Sequence, residues 1–238
     1  MSASRHNTLG FHAAGRCAFT LIELLVAILI VGVLVALLLP ALGKAVNSGK
    51  RTNCLGNQKQ ILVAAQLYQE DHPTWFYLTE NVCDDRAPAA FHPRYVANIR
   101  TFLCPNTRNV IRTNLNFRGE LVDLLNSSQG DRERKTGGHS YEFHGYYDSP
   151  PLAGKRKTPG NSVFGPARVV LFTDADDQLP GVSGDVNNFP DAVNNHGAAG
   201  WNWAFVDGHA EWVSRVNTVE ALVNSLHATN AQMRPLSH

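Results

Sequence analysis

Residues 19–39 form an apolar run interrupted by a single acidic side chain, Glu23. The run has about 21 residues, and at about 1.5 Å per residue a helix of this length crosses a hydrocarbon core of about 30 Å. A charged side chain inside such a helix costs on the order of 2.5 kcal/mol or more, so it is usually paired, snorkelling or functional. The sequence therefore predicts a transmembrane helix at residues 19–39 whose one carboxylate requires an explanation.

A cut between Ala18 and Phe19 would give Glu23 a counter-ion. The new ammonium group of Phe19 would lie one helical turn from the carboxylate, or near the same carboxylate on a neighbouring copy, and would neutralise it inside lipid. We therefore predict that residues 1–18 are a leader peptide. The simpler alternative is an uncleaved signal anchor in which Glu23 snorkels to the membrane surface.

The sequence around this cut resembles, over residues 16–44, the N-terminal segment of type IV prepilins and type II secretion pseudopilins. The resemblance rests on a basic leader, a small residue at Ala18 and the run F-T-L-I-E-L-L-V-A that follows it. Ala18 departs from the family, which usually has Gly before the cut. The resemblance implies cleavage after Ala18, methylation of Phe19, and pairing of Glu23 with the amine of Phe19 on an adjacent subunit.

The same resemblance implies a location and a set of partners. The protein would be a single-pass protein of the inner (cytoplasmic) membrane, with a cytoplasmic leader and a periplasmic or extracytoplasmic C-terminal domain. Its partners would be a prepilin peptidase, membrane lipid and other pilin or pseudopilin subunits. With these subunits it would build a filament of a type II secretion system, for protein secretion, or of a type IV pilus. Whether it is a major or a minor subunit stays open.

Residues 40–72 are predicted to continue the helix in amphipathic form. Apolar residues recur there near the helical spacing, at Leu55, Ile61, Leu62, Ala65 and Tyr68. One side of this part must therefore pack on the following domain. Pro40 is predicted to kink or loosen the helix, and His72-Pro73 is predicted to end it.

Residues 73–238 are predicted to form a soluble α+β domain of pilin-like type. In this fold class the long N-terminal helix packs on a small antiparallel β-sheet with long loops. The expected strands are 76–78, 101–104, 140–147, 169–174, 203–206 and 210–213, followed by a helix at 218–227. Long loops are expected at 150–166 and 178–195, and Asp207-Gly208 predicts a tight hairpin turn.

A second resemblance covers H-G-A-A-G-W-N-W-A-F-V-D-G-H-A-E at residues 196–211. It resembles the C-terminal motif, His to Asp-Gly, of a group of prepilin-like proteins found chiefly in Planctomycetes and Verrucomicrobia. Here ten residues separate His196 from Asp207, one more than is usual in that group. R-T-N-C-L-G-N-Q-K-Q around Cys54, F-L-C-P at 102–105 and P-A-R-V-V-L-F-T-D at 166–174 resemble other recurring pieces of the group.

The role of this motif has two interpretations. In the simpler one, Asp207 shapes the turn before Gly208, and His196 bonds to a backbone carbonyl or to Asp207. In the other, His196, Asp207 and His209 form a metal site, since these ligand types suit Zn or Mn.

An acidic cluster suggests a further metal, calcium, because this ion takes several oxygen ligands from a flexible loop. The candidate ligands are Asp174, Asp176 and Asp177, with Asp185 and Asp191 in the next loop. Major pseudopilins often bind calcium in a C-terminal loop. The spacing of an EF-hand is absent, however, so we favour a solvated acidic turn and expect no cofactor.

Three cysteines remain after cleavage: Cys54, Cys83 and Cys104. An oxidising compartment permits one disulfide among them. The resemblance favours Cys54 with Cys104, since both stand in family-like contexts. Cys83 with Cys104 is the rival pairing, and it would close a loop worth about 3 kcal/mol.

Charge and motifs exclude two other function classes. Lys and Arg total 21 against 20 for Asp and Glu, so the chain lacks the basic field on which nucleic-acid binding relies. It also lacks the common hydrolase and phosphate-binding motifs, so we expect no enzyme. Two alternatives to a filament subunit remain. One is an uncleaved, membrane-anchored binding module of the cell envelope. The other is a membrane-tethered metal-dependent hydrolase.

Overall fold

The computed structural model describes residues 20–72, 86–125, 137–147, 150–175, 190 and 195–225. The chain divides into two compact units between Ala45 and Val46, which are described separately. Helix α1 (Leu21–Asp71) is a single element that continues through Pro40. It ends one residue before His72-Pro73, because proline disfavours the helical conformation of the residue that precedes it.

In the first unit, α1 is apolar around its whole circumference. All large apolar side chains from Leu21 to Leu42 are between 45% and 85% exposed. An 18-residue window of the helix has a mean hydropathy of 3.1. A helix that is apolar and exposed on all sides requires lipid or other apolar helices around it. Within the described residues, this part of α1 is the one segment long and apolar enough to cross a membrane, as the sequence predicts.

In the second unit, α1 buries one face only. The buried side chains are Cys54, Gln58, Ile61, Leu62, Ala64, Ala65 and Tyr68. Most of them recur at intervals of three or four residues, which places them on one side of a helix. Residues between them, such as Val63 and Leu67, are exposed. The predicted amphipathic continuation is therefore present.

The sheet of the second unit has four antiparallel strands in the order β1-β2-β3-β4. The strands are β1 (Tyr141–Phe143), β2 (Val170–Asp174), β3 (Gly200–Phe205) and β4 (Ala210–Ser214). Helix α2 (Ala87–Phe91) precedes the sheet and helix α3 (Thr218–Asn224) follows it. A long N-terminal helix with a small antiparallel sheet confirms the predicted α+β class and is consistent with a pilin-like fold.

The two faces of the sheet carry two separate cores. The alternation W-N-W-A-F in β3 sends successive side chains to opposite faces. One core joins the buried face of α1 to Tyr141, Phe143, Phe172, Ala204 and Val206, among others. The second core contains Val170, Trp201, Trp203, Phe205, Val213 and Leu222, the last of these from α3. The sheet is therefore covered on both faces.

The predicted hairpin is confirmed at the turn between β3 and β4. Phe205 and His209 pair through a backbone hydrogen bond of 2.9 Å. Gly208 has a φ of +95°, a conformation that favours glycine. The Asp207 carboxylate accepts a hydrogen bond of 3.1 Å from the main-chain N–H of His209. Asp207 therefore shapes the turn, as the simpler interpretation of the motif predicted.

Several predicted elements differ from the structure. The prediction of a strand at 101–104 is wrong. Ile99–Phe102 is a 3₁₀ helix, because the Asn98 side chain caps it by accepting a hydrogen bond from Arg100 N. Of the predicted strand at 140–147, only β1 (Tyr141–Phe143) forms. The chain then leaves the sheet, and Tyr147 N donates to Lys155 O.

Other boundaries shift without a change of element type. β3 begins at Gly200, before the predicted start, because the alternating pattern extends back through the buried Trp201. The predicted loop at 150–166 contains a 3₁₀ turn, Pro159–Asn161. The strand at 76–78, nearly all of the loop at 178–195 and the last residues of the helix at 218–227 lie outside the described residues.

Replacing Ile61 by Ala tests the packing of α1 on the sheet. Ile61 is fully buried in the core, so Ile61→Ala should lower the free energy of unfolding of the second unit by about 2–4 kcal/mol. Val63 lies on the same helix but is 55% exposed, and Val63→Ala should change it by less than about 0.5 kcal/mol. Urea unfolding of the detergent-extracted chain, followed by tryptophan fluorescence, measures both. Equal losses would contradict the assignment of the buried face.

Candidate functional site

The N-terminus of α1 holds Glu23 in a reciprocal cap. The Glu23 carboxylate accepts hydrogen bonds of 2.8 Å from both the main-chain N–H and the hydroxyl of Thr20. In return, the Thr20 hydroxyl accepts one of 3.3 Å from the main-chain N–H of Glu23. The spacing T-x-x-E is that of a capping box, which satisfies free N–H groups at a helix start.

This cap satisfies the hydrogen bonds of Glu23 but leaves its charge uncompensated. Within the described residues, no cationic side chain forms an ion pair with it. Phe19, the residue that a cut after Ala18 would convert into an ammonium group, is bonded directly to Thr20. The cap therefore fixes the carboxylate near the position where the new amine would arise. Ala18 and Phe19 themselves lie outside the described residues.

A second site is a buried cluster in the other unit, formed by Cys54, Cys104, Asp174 and His196. Cys54 lies on the buried face of α1, Asp174 ends β2, and His196 precedes β3. One ligand atom from each of the four residues lies within 4.8 Å of all the others. None of the four side chains is more than 3% exposed.

Direct contacts link the four side chains. The Cys54 thiol donates to Asp174 Oδ1 at 3.0 Å, and Cys104 Sγ lies 3.3 Å from His196 Nε2. His196 Nε2 lies 3.4 Å from Asp174 Oδ2. The cluster thus joins three segments of the sheet domain to the helix.

Burial and these contacts shift the pKa of each group. Burial raises the pKa of Asp174 and raises that of Cys54 well above its usual range. Burial opposes ionisation of Cys104 as well, but hydrogen bonds from Cys54 and His196 lower its pKa to about 7. Burial disfavours the charged form of His196, yet the Asp174 carboxylate and the Cys104 sulfur raise its pKa overall. Burial therefore opposes the charged forms of Asp174 and Cys54, whereas the contact with His196 favours the thiolate of Cys104.

A layer of polar groups holds the cluster in place. Asp174 Oδ2 accepts from the main-chain N–H of Asn202 at 2.8 Å, and its other oxygen accepts from Gln58 Nε2 at 3.4 Å. The Asn202 side chain lies 3.1 Å from His196 Nε2, and the Tyr141 hydroxyl lies 3.5 Å from Cys54 Sγ. These contacts fix the orientation of Cys54, Asp174 and His196.

The structure divides the predicted metal ligands between two places. Asp174 and His196 lie in the cluster, but Asp207 and His209 pair with each other at the hairpin tip, where the His209 ring stacks on Phe205. Within the described residues, the proposed group of His196, Asp207 and His209 does not form. The prediction that His196 bonds to a backbone carbonyl or to Asp207 is replaced by its contacts with Cys104, Asp174 and Asn202. The calcium candidates Asp176 and Asp177 lie outside the described residues.

The disulfide candidates meet in the same cluster. Cys54 and Cys104 are buried free thiols in this structure, and their sulfur atoms lie within 4.8 Å of each other. Their pairing stays a prediction, and Cys83, the rival partner, lies outside the described residues. All four cluster residues are among the candidates that the sequence predicts, but no local pattern joins the two thiols to Asp174 and His196. The signal was present, since all four lie in the segments for which the sequence suggests a resemblance to the prepilin-like group.

The prokaryotic N-terminal methylation motif matches residues 14–39 of the chain. No curated protein and no solved structure matches the chain. The motif spans Ala18, Phe19, Glu23 and most of the apolar part of α1. The chain therefore has a prepilin-type N-terminus followed by a membrane helix, the class of segment found in pilins and pseudopilins. The likeness of residues 196–211 to the prepilin-like group stays a prediction.

Replacing His196 and, separately, His209 tests whether the buried cluster or the hairpin tip contributes more to the stability of the domain. His196→Ala should lower the free energy of unfolding by about 3 kcal/mol, because it leaves Asp174 buried without its partner. His209→Ala removes an exposed partner of Asp207 and should cost less than about 1 kcal/mol. Urea unfolding followed by tryptophan fluorescence compares the two variants. A larger loss in His209→Ala would show that the hairpin tip, and not the cluster, stabilises the domain.

Proposed function

We propose that this chain is a pilin-like or pseudopilin-like structural subunit. In this proposal, prepilin peptidase cuts it after Ala18 and methylates Phe19. The mature chain then assembles through α1 into an envelope filament of a type II secretion system or a type IV pilus. The leader faces the cytoplasm, the helix spans the inner membrane, and the sheet domain faces outward. The role is structural and not enzymatic.

The observation that carries this proposal is the exposed apolar helix with its one capped carboxylate. A membrane anchor needs only apolar side chains, and a charge inside it costs free energy. Glu23 is held by Thr20 at the helix start, next to the position of the future amine. A carboxylate fixed there in every copy can pair with an amine from a neighbouring copy once the leader is removed.

This pairing would set the axial position of one helix against the next. Apolar helices in lipid associate with little preference for register, because lipid tails are as apolar as leucine. A single ion pair in a medium of low dielectric strength favours the one alignment that neutralises both charges. The apolar side chains from Leu21 to Leu42 would then pack against other copies instead of lipid.

Three variants separate the charge of Glu23 from its capping role. Glu23→Gln keeps a side chain that completes the capping box but removes the charge. We expect this variant to insert and to be cleaved normally, with incorporation into filaments reduced at least about tenfold, equivalent to about 1.4 kcal/mol. Thr20→Ala removes the hydroxyl of the cap and keeps the charge, so it should incorporate far better. Glu70→Ala changes an exposed carboxylate on the same helix and should match the unchanged chain.

Incorporation is measured as the amount of the chain in the sheared filament fraction, relative to cleaved chain in the membrane. Normal incorporation of Glu23→Gln would show that the charge plays no part in assembly. A defect in Thr20→Ala equal to that of Glu23→Gln would assign Glu23 to helix capping alone. Either result would overturn the proposed role.

A further inference from the structure

The four ligand atoms of the buried cluster lie within 4.8 Å of one another, and two of their contacts have the spacing of a tetrahedral metal site. Zinc binds sulfur at about 2.3 Å and nitrogen or oxygen at about 2.0–2.2 Å, so ligand atoms around it lie roughly 3.3–3.8 Å apart. In the cluster, Cys104 Sγ lies 3.3 Å from His196 Nε2, which lies 3.4 Å from Asp174 Oδ2. The contact between Cys54 and Asp174 is shorter, 3.0 Å. A proton bridges that pair where a metal ion would separate its atoms.

The chemistry of the donors selects zinc among common metal ions. Two thiolates, one imidazole and one carboxylate combine soft and borderline ligands, which suit zinc. Calcium and magnesium require mostly oxygen ligands, of which this cluster has only one carboxylate. Zinc binding to thiolates releases thiol protons.

The burial of the cluster indicates a structural site and not a catalytic one. A catalytic zinc keeps one position open for water or substrate, whereas a structural zinc has four protein ligands. Here four protein ligands are present, and each is at most 3% exposed. The contacting residues are far apart in sequence, with Cys54 and Asp174 separated by 120 positions. A bound ion would therefore fasten α1 to the sheet.

We propose that Cys54, Cys104, Asp174 and His196 bind one structural zinc ion. Binding releases the two thiol protons to solvent, and the ion takes one ligand atom from each residue. The site is independent of filament assembly. Zinc binding by the two cysteines excludes a disulfide between them. Oxidation to the disulfide would remove two electrons and two protons from the same thiols, and the site would then consist of His196 and Asp174 without the sulfur ligands.

The polar surroundings of the cluster support this assignment. Ligands of a metal ion are oriented by hydrogen bonds from neighbouring groups. The backbone of Asn202 and the side chain of Gln58 both donate to Asp174, and the same Gln58 amide donates to Asn202 O at 3.1 Å. A surface pocket of about 610 Å³ is lined in part by Cys104, so one of the four ligands borders this pocket.

The first test measures metal in the full chain, extracted from membranes in detergent without chelator or added metal. Elemental analysis should find one zinc per chain, and intact mass should show reduced Cys54 and Cys104. X-ray absorption at the zinc edge should show two sulfur atoms at about 2.3 Å and two lighter atoms at about 2.0–2.2 Å. Zinc bound without sulfur neighbours would overturn the proposed ligand set.

The second test uses the unchanged chain, so that it does not depend on the folding of a variant. Zinc is removed with a chelator under reducing conditions, and zinc alone is then titrated back. We expect uptake of one ion per chain and recovery of the original melting temperature. A reduced chain that takes up no zinc, or a zinc-free native chain with a Cys54–Cys104 disulfide, would overturn the proposal.

Variants then assign the ligands. Cys104→Ser and His196→Ala should lose most of the zinc. The matched controls Cys83→Ser and His209→Ala change the same residue types elsewhere and should keep it. Loss of zinc in either control, or full retention in both Cys104→Ser and His196→Ala, would contradict the assignment.

Discussion

A single carboxylate at the start of an otherwise apolar helix is the constraint on which this account depends. Thr20 satisfies the hydrogen bonds of Glu23 through its N–H and hydroxyl, but hydrogen bonds from neutral groups do not cancel a charge in lipid. The methylation motif over residues 14–39 includes this carboxylate, and the cut that we propose after Ala18 lies five residues before it. In this proposal one short segment combines membrane insertion, processing and a charge that awaits a partner.

The two parts of α1 differ in what surrounds them, and the sequence explains why. Up to Leu42 the large side chains are apolar on every side and exposed, which suits lipid or other apolar helices. From Cys54 to Tyr68 the buried residues keep to one side, and they pack on the sheet. Polar groups on that same side, Cys54 and Gln58, reach Asp174. The helix therefore supplies both the core and part of the buried cluster.

Local patterns predicted much of the fold but not its long-range contacts. His72-Pro73 located the end of α1, and the apolar runs located β2 and β4 to within a residue. The strand at 101–104 was wrong because its apolar residues are buried in a 3₁₀ turn, which periodicity over four residues does not distinguish from a strand. The cluster depends on which residues meet when α1 packs on the sheet. Asp207-Gly208 predicted its turn, since that signal is local, whereas the partners of His196 come from distant segments.

The central claim is that the leader is removed and that Glu23 then finds its counter-ion in the new amine. The most direct measurement is the intact mass, with fragmentation, of the chain extracted from the membranes of the cells that naturally express it. The account predicts a chain that begins at Phe19 and carries one methyl group on its α-amine. A native chain that still contains residues 1–18 would contradict it, and would leave an anchored envelope protein in place of a filament subunit.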